Sequence, residues 1–533
     1  MKWTSASSRP DRAPIEINYD GGTKTDATRR INQKVNGGTW VYIGSYYLAS
    51  GTGNSVRIKA SDAGRICADA VLFELSYATT TSPSEAALTT QRAEYSNTNT
   101  NENPDETLIV RTDSGESGID PIFELRVNGD FYEVKGSCGH EAVEEIAMAG
   151  GNTIRAYSVT AIDEDFLKDA SDAGIKVILG LWLAQAEGGN ADFYDSPVSV
   201  SNQFETLKAQ IDDYKNYEAV LAWVVGNEVD PVTVTNPEPV YKAIQQVARY
   251  IRDVDHYHPC LTGHAGAHQT KISRVVQWAP DIDIIGVNSY YPHVMDVTSN
   301  VVSAGWTGPY FITEYFLRQP MTMQHETNGL TSWGAVIEPV SADKYIQLME
   351  IYANAILAQS NRCIGSFVFK GAQGGFRVTH TWYPLLDENF RPTPSYDAMR
   401  ECWEGDDAPG LIAPQVDTIT LNSRYPWEDT TITETGGVLT SKVTITAPAN
   451  SDVEYEVEIR TNATIYTYSS PLPLEGITIT QNSVDPRTFY IRNDDLPDGD
   501  YRLFYYVKRT DGAETNSYVS VGTANIPFRK HTN

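Results

Sequence analysis

The 533-residue chain predicts a multidomain α/β and β protein, a (β/α)8 barrel of the TIM type flanked by all-β regions. Three observations predict it. From about residue 120 to 404, short apolar runs alternate with longer amphipathic stretches, which implies a parallel sheet. Eight such repeats over about 280 residues fit a closed barrel rather than an open doubly wound sheet, and no Gly-rich phosphate turn is present. On either side the apolar residues recur with a period of two, broken by Gly, Asn and Pro, as half-buried strands do.

Residues 1–78 read as a small all-β domain through "TWVYIGSYYL", "SVRIKA" and "ADAVLFELSY". Residues 79–119 are rich in Ser, Thr and Asn and poor in large apolar side chains, so they read as a linker, part of which lies along the next domain. Within 120–404 the strand runs are "YEVKGS", "NTIRAYS", "KVILGLWL", "AVLAWVVGNE", "PCLTGHA", "IDIIGVNSYY", "PYFITEYF" and "CIGSFVFK". A helical or partly helical stretch follows each in turn. Residues 405–533 return to alternation in "KVTITAP", "VEYEVEIRT", "TFYIRN", "YRLFYYVKRT" and "SYVSVGTANIPF". Their spacing suits a β-sandwich of immunoglobulin-like type.

The formal net charge of -28 argues against nucleic acid and anionic membranes as partners, since both require clustered Lys and Arg. No apolar run approaches the ~18 residues of a membrane-spanning helix. The N-terminus lacks the apolar segment of a leader peptide, so the chain is either cytoplasmic or has lost its leader. Cys67, Cys138, Cys260, Cys363 and Cys402 are scattered, without a C-x-x-C, and read as free thiols. No metal site or cofactor is expected, and the chain is expected to act as a monomer.

Barrel active sites sit at the C-terminal ends of the strands, so the residues ending each run are the candidates. Strand four stops at Asn227-Glu228 and strand seven at Glu314, two carboxylates that face each other across the barrel mouth. Paired carboxylates suit glycosidic cleavage: one protonates the leaving oxygen while the other attacks the anomeric carbon or activates water. Their proximity drives their pKa values apart. Trp182 ends strand three and His264 ends strand five, candidates for sugar stacking and hydroxyl binding.

"WVVGNEVD" and "PYFITEYF" resemble the two catalytic signatures of glycoside hydrolase clan A, the retaining (β/α)8 glycosidases, over roughly residues 130–400. The resemblance is nearest to the family-two and β-1,3-glucanase-type branches. It implies Glu228 as acid/base and Glu314 as nucleophile. It also implies Arg155 of "NTIRAY" as the cation beside the nucleophile and Tyr290 of "GVNSYY" as its hydroxyl contact, with Tyr291 the alternative. Asn227 would hydrogen-bond the sugar 2-hydroxyl. Many clan members end strand eight with a Trp; here the run is Phe367-Val368-Phe369-Lys370-Gly371, so Trp382 is a candidate substitute and Lys370 a candidate contact for an anionic group. The segment "GGTWVYIGSYYLASGTGNSVRIKASDAGRICADAVLFE" resembles golvesin-like or xanthan-lyase-type carbohydrate-binding domains of bacterial extracellular enzymes. Sugar binding and a spacer role are both open for it.

The expectation is therefore a retaining glycosidase, secreted, periplasmic or at the cell surface, acting on a polysaccharide or oligosaccharide. A β-glucan, cut as by a β-1,3-glucanase, leads. A β-galactan or algal sulfated galactan, a transglycosylase, and an inert carbohydrate-binding barrel are the alternatives.

Overall fold

The computed structural model describes residues 13–19, 24–31, 53–58, 104–113, 120–186, 192–229, 236–372, 379–405, 408, 410–463, 471–511 and 518–532. The chain divides into two units, Met1–Tyr95 with Ser114–Glu116, and Ser96–Asp113 with Ser117–Asn533.

In the first unit β1 (Ala13–Tyr19) lies between β2 (Lys24–Ile31) and β3 (Ser55–Ile58) and is antiparallel to both. Ala13, Ile15 and Ile17 are buried while Glu16 and Asn18 on the alternate positions are less so, the alternation of a strand with one packed face. The segment 55–58 is one of the strands expected from the sequence; those expected at 39–48 and 68–77 lie outside the described residues.

The second unit begins with an antiparallel sheet of β4 (Thr107–Arg111), β5 (Phe123–Val127) and β6 (Asp130–Phe131). β4 falls within the stretch read from composition as linker. Its local sequence "TLIVR" is rich in β-branched residues, a preference that the polar surroundings obscured. The Thr107 N–H donates to the Tyr257 carbonyl at 2.7 Å and the Phe123 N–H to the Asn361 carbonyl at 2.8 Å. Both acceptors precede barrel strands, so this sheet covers the N-terminal end of the barrel.

The barrel strands are β7 (Val134–Cys138), β8 (Thr153–Ala156), β9 (Lys176–Leu181), β10 (Val220–Asn227), β11 (Cys260–Ala265), β12 (Ile284–Asn288), β13 (Tyr310–Tyr315) and β14 (Cys363–Val368). All neighbours are parallel, and β14 pairs with β7 to close the ring. β10 shows why its sequence is a continuous apolar run: Val220 to Val225 are all buried, because barrel staves are covered on both faces.

The helices are α1 (Val143–Met148), α2 (Glu164–Asp172), α3 (Pro197–Tyr214), α4 (Glu238–Val254), α5 (Gln269–Trp278), α6 (Val297–Ser303), α7 (Ser341–Ile351) and α8 (Pro394–Glu404), one after each strand. α4 is representative. Val240, Tyr241, Ile244, Val247, Ala248 and Ile251 recur at helical spacing and are buried, while Glu238 and Lys242 pair at 2.7 Å on its exposed side.

The remaining strands are β15 (Gln415–Leu421), β16 (Thr430–Ile432), β17 (Val438–Thr446), β18 (Val453–Thr461), β19 (Ile479–Gln481), β20 (Thr488–Arg492), β21 (Gly499–Arg509) and β22 (Ser520–Lys530). They form two four-stranded sheets, ordered β15-β17-β20-β19 and β16-β22-β21-β18. Leu421, Val443 and Ile491 of one sheet share a core with Leu503, Tyr505 and Ile526 of the other, which makes the pair a sandwich. Every contact within the two sheets is antiparallel except β16 on β22.

The sandwich is joined to the barrel through a buried polar knot around Glu338. Its carboxylate accepts from Lys344 Nζ at 2.5 Å, Thr381 Oγ1 at 2.9 Å and Asn525 Nδ2 at 2.6 Å, and from Thr379. Arg502 of β21 donates to Asn525 Oδ1 and to the Val336 carbonyl. Burial alone would raise the Glu338 pKa. Lys344 and the hydroxyl and amide donors more than offset it, and the carboxyl stays below its usual range.

Candidate active site

The site is assembled at the C-terminal end of the barrel strands, from the last residues of β8, β10, β12 and β13. Arg155 and Tyr157 are two positions apart at the end of β8, so both turn to the same side. Glu314 lies in β13, in register with Asn288 of β12. At the end of β10 the backbone bends sharply: Gly226 and Glu228 have φ of +76° and +52°, with Asn227 between them. A side chain at Gly226 would be strained by that conformation and would meet Val229 at 2.4 Å. The glycine lets the stave end in a turn that presents Asn227 and Glu228. The positive φ at Glu228 is a conformation uncommon for any residue but glycine.

Glu314 is 7 % exposed and is gripped by three donors. Arg155 Nη1 reaches its Oε1 at 3.1 Å, the Tyr157 hydroxyl reaches Oε1 at 2.8 Å, and the Tyr290 hydroxyl reaches Oε2 at 2.8 Å. Burial pushes the Glu314 carboxyl above the ordinary range; Arg155 opposes this, the neighbouring Glu228 adds to it, and the two tyrosines oppose it. Burial also pushes the Tyr157 and Tyr290 hydroxyls well up, so both remain O–H donors to the carboxylate. The Arg155 guanidinium is 1 % exposed, lies 4.5 Å from the Tyr157 ring centroid, and donates further to the Thr313 carbonyl at 2.7 Å.

Asn288 links this cluster to Glu228. Its Oδ1 accepts from Arg155 Nη1 at 3.0 Å and Thr313 Oγ1 at 2.8 Å. Its Nδ2 donates to Glu228 Oε1 at 2.8 Å and to Asn227 Oδ1 at 3.0 Å. Arg155 Nη2 also donates to Asn227 Oδ1, at 2.6 Å. Asn227 Nδ2 has no partner among the described residues, and Glu228 is half-buried.

The structure thus brings Glu228, Glu314, Arg155, Asn227 and Tyr290 together, and it adds Tyr157 and Asn288. Tyr157 was legible in principle, two residues beyond Arg155 in "IRAY". Asn288 ends the observed β12 but lies inside the longer run "IDIIGVNSYY", so its terminal position is visible only in the structure.

The remaining candidates are placed differently. Trp182 follows the last residue of β9 with its ring about half exposed, free of the polar network. His264 faces away from the mouth. A Cβ on its neighbour Gly263 would meet Arg155 and Asn227 at 3.4 Å, so alternation sends His264 outward. There it stacks on Tyr241 of α4, and burial pushes its pKa down to about 3, so it is a neutral packing residue. Trp382 is 1 % exposed and donates to the Arg318 carbonyl at 3.0 Å, which leaves no face for a sugar. The position beyond β14 is held by Phe369, whose ring contacts Tyr290 and Tyr383 edge-on. Lys370 lies 3.9 Å from Glu141.

Residues 128–293, which span β7 to β12, match glycoside hydrolase family 72, described as Glucanosyltransferase. The match covers six of the eight barrel strands and supports a glycoside hydrolase. Residues 1–75 match the Golvesin C-terminal domain. Among solved structures, Lactobacillus rhamnosus β-glucuronidase is 18% identical over 56% of this chain and 52% of its own, with a TM-score of 0.43. Ruminococcus gnavus β-glucuronidase is 15% identical over 56% and 53%, with a TM-score of 0.43. ScGas2 in complex with compound 8 is 17% identical over 58% and 70%, with a TM-score of 0.38. The chain spans about half the length of the two β-glucuronidases. No curated protein matches it. Among the described residues, no helix is long and apolar enough to cross a membrane.

Proposed function

We propose that the barrel cleaves or transfers β-glycosidic bonds with retention, using Glu314 as nucleophile and Glu228 as acid/base. One observation carries the reading: a buried carboxylate at the barrel mouth held by an arginine and two tyrosine hydroxyls, all donating. Such a grip favours the ionised form, which attack requires. Oε1 already receives two donors and Oε2 only one, so Oε2 keeps the freer lone pair and is the attacking atom. Glu228 protonates the leaving oxygen as that bond breaks, then takes a proton from the water or hydroxyl that releases the sugar from Glu314. Asn227 Nδ2, unclaimed among the described residues, donates to the sugar 2-hydroxyl.

The substrate proposed is a neutral β-glucan of the β-1,3 type. The match to a family described as Glucanosyltransferase supports a glucan, and it makes transfer to a second sugar an equal outcome of the same residues. The net charge of -28 disfavours a polyanionic substrate. Residues 1–78 are proposed as an accessory carbohydrate-binding module that keeps the enzyme on its polymer outside the cell, supported by the golvesin match. Trp182, exposed beside the mouth, is proposed as a sugar-stacking platform.

The test is product analysis from laminarin, mixed-linkage glucan, xylan, mannan, agarose and carrageenans, with wild type beside Glu314→Gln. Laminarin fragments from wild type only, with β configuration at the new reducing end, support hydrolysis with retention. Products longer than the starting oligosaccharide support transfer. Binding without any cleavage by wild type overturns the enzymatic reading.

A further inference from the structure

Arg155 has only donors to offer, and that fact settles the orientation of both amides it touches. The atom of Asn288 that faces Arg155 Nη1 at 3.0 Å must be its oxygen, and so must the atom of Asn227 that faces Nη2 at 2.6 Å. The Thr313 hydroxyl at 2.8 Å completes the acceptor side of Asn288. The Asn288 amide nitrogen is therefore forced toward Asn227 Oδ1 at 3.0 Å and Glu228 Oε1 at 2.8 Å. Asn288 is 4 % exposed, with its two amide hydrogens and two acceptor lone pairs all used, so it cannot turn over without stranding a buried polar group.

We propose that Asn288 is a positioning residue that dictates which oxygen of Glu228 carries the acid proton. An amide N–H aimed at Oε1 makes that oxygen the carbonyl acceptor of the neutral acid, so the hydroxyl resides on Oε2. When the glycosidic oxygen departs, the Oε2–H bond breaks, its proton passes to that oxygen, and the carboxylate left behind keeps its Oε1 contact to Asn288. In the second half of the cycle Oε2 takes a proton from the attacking water or sugar hydroxyl, and the starting form returns. Asn288 exchanges no proton in either step. The same side chain leans on Arg155, which holds Glu314, so one amide sets the acid's geometry from the nucleophile's own cation. The inference rests on the acid/base reading of Glu228, and it is tested without a sugar.

The readout is the carbonyl stretch of protonated Glu228 in infrared difference spectra of the full-length protein taken across an acid titration. The band is identified as the one missing from Glu228→Gln. In Asn288→Ala, Oε1 loses its donor and the band is expected to move to higher wavenumber. Thr313→Val keeps the amide and removes only one of its tethers, so it gives a smaller shift in the same direction, and it serves alone if Asn288→Ala does not fold. A band that stays in place in a folded variant overturns the proposal, because Oε1 would then not be the carbonyl that Asn288 holds. Glycan turnover is scored separately. A wild type inert on every polysaccharide, with the band moving as expected, removes the glycosidase reading and leaves the hydrogen-bond assignment standing.

Discussion

Tyr157 gives the most direct residue-scale test, because its hydroxyl shares Glu314 Oε1 with Arg155. Tyr157→Phe keeps the ring beside Arg155 and removes only the donated bond. A hydrogen bond to a charged group contributes about 1.5–3 kcal/mol, so kcat/KM is expected to fall roughly 10- to 100-fold. The pH profile adds a sign. The Glu314 carboxyl already sits above the ordinary range through burial, and its donors favour the ionised form. Losing a donor raises it further, so the acid limb of kcat/KM moves to higher pH. An acid limb that moves down, or stays in place while activity drops, counts against Glu314 as the group that must ionise. Arg155→Lys is expected to be more damaging than its conserved charge suggests, since one ammonium cannot serve Asn227, Asn288, Thr313 and Glu314 from two fixed nitrogens.

At the scale of the element, the ends of β8 and β9 depend on one close approach. A Cβ on Gly180 would lie 1.9 Å from the Tyr157 carbonyl oxygen, so the β9 backbone passes where only glycine fits. Gly180→Ala is expected to push Tyr157 away from Glu314. The stability cost of such overpacking is about 1–3 kcal/mol, while activity falls at least as far as in Tyr157→Phe. A thermal melt beside an activity assay separates the two effects.

The staves themselves were legible in the sequence because burial on both faces leaves continuous apolar runs, and Glu228 and Glu314 stood out as charges at the ends of those runs. Which residue of a terminal pair faces inward is set by alternation. His264 and Gly263 are adjacent and look equally terminal in "LTGHA", yet only Gly263 faces inward. Nothing in the sequence sets Asn288 above the aromatic two residues on, because its importance comes from partners on β8, β10 and β13 that no local pattern displays. Trp382 failed as a sugar platform for a similar reason: sequence does not separate an aromatic that lines a mouth from one buried under a loop. The strand Thr107–Arg111 was hidden by the composition of its neighbours.

At the scale of the whole molecule, the barrel and sandwich of the second unit share one buried charge centre. Glu338 has its pKa held below the unfolded value by Lys344 and its hydrogen-bond donors, so its contribution to stability is fully present above the unfolded pKa of about 4.3 and is lost as pH falls through the lower folded value. Glu338→Gln leaves Lys344 without its carboxylate, and breaking a buried pair on one side costs about 3–5 kcal/mol. The variant is expected to melt below wild type at pH 7, with the gap narrowing below about pH 4. A gap that is constant with pH removes the ion pair as its cause. The position of β22 has a further consequence, in the time order of synthesis. It lies inside its sheet between β16 and β21, and its Asn525 reaches Glu338, 187 residues earlier in the chain. A ribosome delivers all eight staves long before it delivers that strand. A nascent chain stalled ahead of residue 520 should therefore carry a ring of staves whose segment between Glu314 and α7 is still open to protease, and it should close only when β22 emerges.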